Sequence, residues 1–227
     1  MAPSEESSKA KDLRTIESIL RFLAKRSFDC WSSGRDLLRN PLDAKARDTF
    51  NYLCKLRPPT RLEQLNHLIK NEPSGGLRLE VDNLYLPPFY DHDKQFVPIL
   101  NLAADFSKPA VWPKLNLRIA LMTINYEKGM IFVFGSRFEM PHEGSDHNYC
   151  HQQFTRKPLL QGSAEESCCE MTGEWLPEHL PCTLMPAKTP VEHMLCMLVS
   201  LYGLKARDLI IEMDIGGDYK KPLYYFS

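Results

Sequence analysis

A chain of 227 residues is long enough to bury a sizeable hydrophobic core, and its length fits one large domain or two small ones. Its hydrophobic fraction of 43% and charged fraction of 25% are ordinary for a globular protein, and its net charge of −1 indicates no particular partner. No apolar run reaches the roughly 18 residues of a membrane-spanning helix. The first residues also lack the apolar stretch of a secretory signal, so we expect neither feature.

The charge is unevenly distributed along the chain. Residues 9–70 hold 14 Lys and Arg against 7 Asp and Glu, about +7, whereas the remainder holds 14 against 22, about −8. This asymmetry indicates either an anionic partner for the front of the chain or packing of one half on the other. The seven cysteines are odd in number and irregular in spacing. Together with the absence of an export signal, this favours reduced thiols in the cytoplasm or nucleus.

The front of the chain has the pattern of a basic helical unit over residues 9–72, preceded by a polar tail, residues 1–8, that we expect to be disordered. An apolar stripe at helical spacing predicts a first helix over residues 9–25. Its members are Leu13, Ile16, Ile19, Leu20 and Leu23. We expect Phe28, Cys30 and Trp31 in the connection that follows.

Three further helices are predicted in this unit. A short one is expected around residues 36–38. Asn40 and Pro41 are a cap and first-turn pair that would open the next, which Pro58 ends. Thr60 and Glu63 have the spacing of a capping box, and would open a helix with an apolar side reaching residue 69. Residues 71–76 combine Pro with paired Gly, so they form either a domain boundary or only a turn.

After this break the hydrophobic period changes from about 3.6 to 2, which predicts a sheet domain over residues 77–227. Residues 77–82 alternate as a half-buried strand. Residues 96–103 form a second strand, which Pro98 would confine to a sheet edge. Residues 115–121 and 130–134 flank a turn and predict a β-hairpin. A long irregular loop follows at residues 137–188.

The strongest local signals lie at residues 189–203. Thr189 and Glu192 fit a capping box, Pro190 suits the first helical position, and Gly203 suits the end. Apolar residues point all round this helix, so we expect it to be buried. Residues 209–215 and 223–226 then predict two closing strands. The fold class is α+β: an N-terminal helical unit, then a mainly antiparallel sheet packed on a buried C-terminal helix, with helices on one face.

Two His-x-x-Cys pairs in the irregular loop suggest a zinc site. His147, Cys150, His179 and Cys182 supply the imidazole and thiolate ligands that tetrahedral zinc prefers, and a metal would order a segment poor in regular structure. The alternative is polar histidines and buried free thiols. We expect His193, on the capped helix beside apolar residues, to be a satisfied core or boundary histidine rather than a ligand.

Cys182 has a second interpretation. The segment from His179 through Pro181 to Thr183 is similar to the His-Pro-Cys-containing loop of the autophagy E2-like conjugating enzymes, with Leu180 inserted between the His and the Pro. The resemblance implies a cysteine-dependent transferase with Cys182 as its nucleophile. Such a thiolate needs a pKa lowered by a base or a helix N-terminus.

The basic front end is a candidate nucleic-acid surface. Clustered cations are what phosphate binding requires, and the candidates are Arg14, Arg21, Lys25, Arg26, Arg35 and Arg39. The alternative is a solvated helix face or docking onto an acidic protein. No phosphate loop or zinc-finger spacing accompanies them.

The sequence favours a non-enzymatic protein-binding or assembly subunit of a larger intracellular complex, with no membrane association and no resident cofactor other than a possible zinc. Prolines beside aromatic residues, as in residues 87–90 and 111–113, suit surfaces that meet protein partners. The alternatives are a nucleic-acid-binding protein with a zinc-ordered loop and the E2-like transferase.

Overall fold

The computed structural model describes residues 5–56, 58–60, 65, 69–71, 77–91, 94–106, 114–125, 130–141, 149–155, 169–170, 182–184, 187–213 and 215. The helices in these ranges are α1 (Glu5–Ser33), α2 (Ala44–Leu56), α3 (Pro190–Tyr202) and α4 (Ala206–Glu212). The strands are β1 (Ile69–Asn71), β2 (Leu77–Tyr85), β3 (Phe89–Asp91), β4 (Lys94–Asp105), β5 (Lys114–Asn125), β6 (Met130–Glu139), β7 (His151–Thr155), β8 (Cys169–Glu170) and β9 (Cys182–Leu184). Within the described ranges, no helix is long and apolar enough to cross a membrane.

The strands form one mainly antiparallel sheet, which confirms the predicted α+β class. The order is β1-β2-β4-β5-β6-β7-β9, with every neighbouring pair antiparallel. β3 pairs with β4 beyond the end of β2, and β8 runs parallel to β6. The β5–β6 hairpin matches the predicted one and extends it at both ends. β7, β8 and β9 lie within the segment predicted to be an irregular loop.

Both faces of the sheet are covered, whereas the sequence predicted helices on one face. Because side chains alternate along a strand, β4 and β5 present one apolar set to each side. The larger core lies on the side of α1, α3 and α4 and includes Leu100, Leu102, Leu117 and Ile119. The smaller core consists of Tyr85, Val97, Ile99, Ala120 and Met122, with Trp31, Phe50 and Cys54 packed against it. The end of α1 and the side of α2 therefore reach the second face.

α1 carries the predicted apolar stripe but is longer than predicted. All five stripe residues have no exposed surface. The helix continues through Phe28 and Trp31 to Ser33 because it meets no helix breaker before Gly34. There the chain turns: Gly34 has φ +66°, its N–H donates to the Trp31 carbonyl, and the N–H of Arg35 donates to the Cys30 carbonyl. This is the Schellman arrangement, which satisfies the last carbonyls of a helix.

Residues 36–38 form a turn rather than the short helix expected. The buried Asp36 carboxylate accepts the backbone N–H of Leu38 at 2.9 Å and of Asn40 at 2.7 Å. Its second oxygen accepts the Asn40 side chain at 3.1 Å, so Asn40 does not act as a helix cap. Local side-chain bonds of this kind compete with helix formation. α2 consequently begins at Ala44, later than the predicted start at Asn40 and Pro41.

The helix predicted to reach residue 69 is wrong at its end, because Ile69 begins a strand. β1 pairs with β2 from Ile69 opposite Leu79 to Asn71 opposite Leu77. Residues 71–76 therefore connect two adjacent strands, and α1 shares its core with the sheet. The proposed division into two domains at this point stays a prediction. Glu63 of the predicted capping box lies outside the described residues.

Pro98 lies in a central strand, which corrects its predicted edge position. It pairs with Leu121 of β5, and its carbonyl accepts the N–H of Leu86 at 2.9 Å on the other side. The N–H and C=O of one residue in a strand point the same way, so the missing Pro98 N–H would face the Leu86 carbonyl. That carbonyl accepts the Ser27 hydroxyl of α1 at 3.2 Å instead, so the buried acceptor is satisfied.

The predicted start and stop signals of α3 are confirmed. The Thr189 hydroxyl accepts the N–H of Glu192 at 3.1 Å, and the Glu192 carboxylate accepts the N–H of Thr189 at 3.1 Å. Gly203 ends the helix with φ +58° and ψ −137°, a conformation essentially restricted to glycine. Its N–H donates to the Val199 carbonyl.

The segment predicted to be a closing strand after this helix is instead a helix. A short 3-10 turn (Gly203–Lys205) leads into α4, and the N–H of Met213 donates to the Leu209 carbonyl. Leu209, Ile210 and Met213 are buried while Ile211 is 53% exposed, which is a helical pattern. A short apolar run cannot be assigned by its period alone, which explains the error. The strand predicted at residues 223–226 lies outside the described residues.

Candidate functional site

The predicted zinc site stays a prediction. His147 and His179 lie outside the described residues, and Cys182 is described only by its backbone, which pairs with Gln153 in β7. Among the described side chains, no group of three His, Cys, Asp or Glu could hold a metal ion. Cys150 is 4% exposed, and its thiol donates to the Ala187 carbonyl at 3.4 Å. Cys150 therefore links β7 to the segment before α3.

The described thiols are protonated at neutral pH. Burial raises the pKa of Cys30, Cys54, Cys150 and Cys196 to about 11 in each case. A nucleophilic thiolate requires the opposite shift, so these four thiols behave as small apolar side chains. The transferase hypothesis rested on Cys182 alone, and it stays a prediction because that side chain is not described.

Three of the six predicted basic residues share one exposed side of α1. Arg14, Arg21 and Lys25 are spaced by seven and four residues, which places them in one line along the helix, and all three are exposed. Glu17 contacts Arg21 at 4.0 Å one turn earlier. The separation is at the limit of an ion pair, so the contact contributes little, and the Arg21 side chain stays 53% exposed and accessible to anions.

Arg26 turns away from this line. Its guanidinium lies 3.8 Å from the Glu212 carboxylate of α4, and its Nε is buried without a hydrogen-bond partner among the described residues. Arg39 is exposed in the turn after α1 with φ +66°. Arg26 and Arg39 both line one groove, whereas Arg35 is exposed outside it. The six residues therefore divide between at least two surfaces.

We call the first surface the α1–α4 groove. It has a volume of about 350 Å³ and lies between the end of α1, the turn after it and α4. Its lining includes Arg26, Leu38, Arg39, Asp208, Ile211 and Glu212. Its cations come from α1, the turn and Lys205, and its carboxylates come from α4. Lys205 is held in place because its ammonium donates to the Tyr90 carbonyl at 2.8 Å.

Exposed apolar side chains line this groove or lie next to its lining residues in the sequence. Leu38 is 44% exposed, Ile211 is 53% exposed, and Leu204, which precedes the lining residue Lys205, is 80% exposed. Two of the six large exposed apolar side chains in the described residues, Leu38 and Ile211, thus line this groove, and Leu204 adjoins its lining in the sequence. The sequence does not reveal these residues, because Leu and Ile are ordinary core residues by type and only their exposure in the structure distinguishes them.

We call the second surface the aromatic groove, which lies where α1, α2 and the second sheet face meet. Its volume is about 580 Å³, and Phe28, Trp31, Phe50, Tyr85 and Arg47 are among its lining residues. The Trp31 and Phe50 rings are stacked with centroids 3.9 Å apart, and Phe50 meets Tyr85 edge-on at 5.5 Å. Phe28 is 63% exposed. These aromatic residues form no motif in the sequence, so no function was expected of them.

The proline and aromatic segment at residues 87–90 is not a partner surface, contrary to the prediction. Pro87, Pro88 and Phe89 are buried, and the Pro87 carbonyl accepts the Tyr202 hydroxyl at 2.9 Å. The hydroxyl of Tyr202 is buried, which raises its pKa well above the usual range. The equivalent residues 111–113 lie outside the described ranges.

His193 is buried in the core as predicted, but within the described residues its ring nitrogens form no hydrogen bond of normal geometry. It has no exposed surface, and neither ring nitrogen has a hydrogen-bond partner among the described residues. Its ring meets Phe138 edge-on with centroids 6.5 Å apart. Burial lowers its pKa to about 4; the Phe138 backbone and Glu139 oppose this shift, and His151 adds to it.

Comparison of the chain with protein-family models, with curated proteins and with solved structures gives no match. The two grooves and the basic line of α1 therefore carry the functional interpretation.

Proposed function

We propose that the protein is a non-enzymatic protein-binding or assembly subunit, and that it docks its partner on the α1–α4 groove. The observation that supports this most is the exposure of Leu38 and Ile211 in the lining of one groove, with the exposed Leu204 next to the lining residue Lys205 in the sequence. Contiguous exposed apolar side chains rimmed by charged groups are typical of protein interfaces. Fully burying one such side chain contributes about 1.5–3 kcal/mol, so even partial burial of three would be substantial.

The charges around the groove favour a specific partner over indiscriminate adhesion. Arg39 stands on one wall and Asp208 on the other, so a partner must present charges of both signs in the right order. Rim charges mainly select the partner and its orientation, while the apolar centre provides most of the affinity. An apolar centre with a charged rim is therefore the division of roles expected of an assembly subunit.

The test is a comparative affinity purification from cell lysate with folded, purified variants. Ile211→Asp places a carboxylate in the lining of the groove, and Leu204→Asp places one next to the lining residue Lys205. Tyr52→Asp is the matched control because Tyr52 is 44% exposed and lines neither groove. We expect a small set of proteins retained by the wild type and by Tyr52→Asp but lost from both other variants.

The same variants then test binding directly. Titration of a purified candidate partner should show affinity weakened by about tenfold or more for Ile211→Asp, as expected for a central interface residue. If all four baits retain the same proteins, or if the control loses them equally, the groove is not a docking surface and the proposal is wrong.

A further inference from the structure

A second surface has the chemistry of a different ligand. Phe28 and Ser32 continue the basic line of α1, since Phe28 lies seven residues after Arg21 and Ser32 lies seven after Lys25. Both residues also line the aromatic groove. The line of exposed cations therefore leads directly into a pocket walled by aromatic rings.

The groove offers faces of rings as well as charge. The Trp31 and Phe50 stack is anchored against the sheet through Tyr85, which fixes the orientation of the rings. Phe28 also lines this groove and is 63% exposed, although exposing a large apolar ring to water is unfavourable. A flat apolar or heteroaromatic group is what such a surface accommodates.

Arg47 adds a cation on the opposite wall. It is exposed, it projects from α2, and its guanidinium lies over Gly34, where a Cβ would come within 2.6 Å of Nη2. Any side chain at position 34 would overlap the Arg47 guanidinium, so glycine is needed for this placement. Asn51 and Ser32, also exposed and lining the groove, supply hydrogen-bonding groups beside the rings.

We infer that the basic line of α1 and the aromatic groove together bind single-stranded nucleic acid. An unpaired base stacks against Phe28 and the Trp31 edge of the groove, while phosphates lie along Arg14, Arg21 and Lys25. Stacking platforms next to cationic tracks are the general means of binding single strands without reading their sequence. A duplex satisfies only the cations, because its bases are stacked on each other. This site is separate from the α1–α4 groove and does not rest on the proposed function.

The carboxylates near this surface do not cancel its charge. Glu17 contacts Arg21 at 4.0 Å, the limit of an ion pair, and a phosphate can compete for the Arg21 guanidinium because that side chain is 53% exposed. Asp29 is exposed on a neighbouring side of α1, and Asp48 on α2. We expect them to limit affinity and to make binding weaken as salt rises.

The experiment measures fluorescence anisotropy of a labelled single strand of about 12 uridines with the full chain, at about 50 and 200 mM salt. Matched probes are an RNA duplex of the same length and inorganic polyphosphate. We expect the single strand to bind at least about tenfold more tightly than either probe, because only it offers unstacked bases.

Two variants separate stacking from charge. Phe28→Ala should weaken single-strand binding by about tenfold and leave polyphosphate binding unchanged. Lys25→Ala should weaken binding of both and reduce the slope of log affinity against log salt by about 0.7. The controls Tyr52→Ala and Lys55→Ala, which remove an exposed ring and an exposed cation of α2, should leave affinity within about twofold.

Three results would overturn the inference. The first is equal affinity for the single strand and for polyphosphate, with neither affinity changed by Phe28→Ala, which would show that the surface binds any polyanion. The second is tighter binding of the duplex than of the single strand, which would show that the cations contact the phosphate backbone of a double helix and that the rings take no part. An absence of binding at about 50 mM salt, where phosphate contacts are strongest, would show that the surface does not bind nucleic acid.

Discussion

The buried imidazole of His193 is the clearest departure from ordinary protein interiors in the described residues. Buried polar groups are usually hydrogen-bonded, and leaving one unpaired costs about 1–3 kcal/mol. His193 has both ring nitrogens without a partner among the described residues and a pKa of about 4. The folded protein therefore holds it neutral, whereas an unfolded chain protonates it near its ordinary pKa of 6.5.

The sign of the pH dependence follows from this lowered pKa. Above pH 6.5 His193 is neutral in both the folded and the unfolded chain, and the free energy of unfolding has its full value. As the pH falls from 6.5 towards 4 this free energy decreases, because the unfolded chain binds a proton at His193 that the folded chain does not. At pH 5 the loss amounts to about 2 kcal/mol. We predict that His193→Met is at least as stable as wild type at pH 7 and gains about 2 kcal/mol relative to it at pH 5.

Urea unfolding of both proteins at the two pH values measures this difference. The substitution leaves every other ionisable side chain in place, so the comparison reports on the imidazole of His193. Parallel pH profiles for His193→Met and wild type would show that the imidazole does not titrate as described.

At the scale of single elements, a helix or strand was predicted correctly where the residues that determine it lie close together in the sequence. The start of α3 was predictable because Thr189, Pro190 and Glu192 stand within four residues and act only on their own helix. The central position of Pro98 was not, because it depends on Ser27 of α1 donating to the Leu86 carbonyl that the proline cannot serve. No pattern within residues 94–105 contains that information.

The α3 cap makes a quantitative prediction. Thr189→Ala removes the acceptor for the Glu192 N–H and should lower the free energy of unfolding by about 1 kcal/mol, whereas Thr189→Ser keeps the hydroxyl and should cost much less. Chemical denaturation followed by circular dichroism distinguishes the two. Equal midpoints for Thr189→Ala and wild type would mean that the packing of α3, and not its cap, fixes where the helix begins.

At the scale of the whole molecule, α1 organises both candidate surfaces. Its buried stripe packs on the larger core, Arg26 lines the α1–α4 groove, and Phe28 and Trp31 line the aromatic groove on another side. Charge counting over residues 9–70 located the basic line of this helix. It could not show that Arg26 and Lys25 lie on different surfaces, since that depends on where α4 packs.

The grooves themselves could not be read from the sequence. Trp31, Phe50 and Tyr85 come from two helices and a strand, and Leu38 and Ile211 are 173 positions apart, the difference of their numbers. Only the three-dimensional arrangement makes them neighbours. Each is an ordinary core candidate by residue type, so exposure is the information that the sequence lacks.

Site-specific photocrosslinking in living cells tests the central claim, partner docking on the α1–α4 groove, most directly. A benzophenone side chain would replace Ile211 in one protein and Tyr52 in another, because both positions are exposed and only the first lines the groove. We predict one dominant protein adduct from position 211 that is absent from position 52 and lost when Leu204→Asp is added. The same adducts at both positions, or none at position 211, would contradict the proposed function.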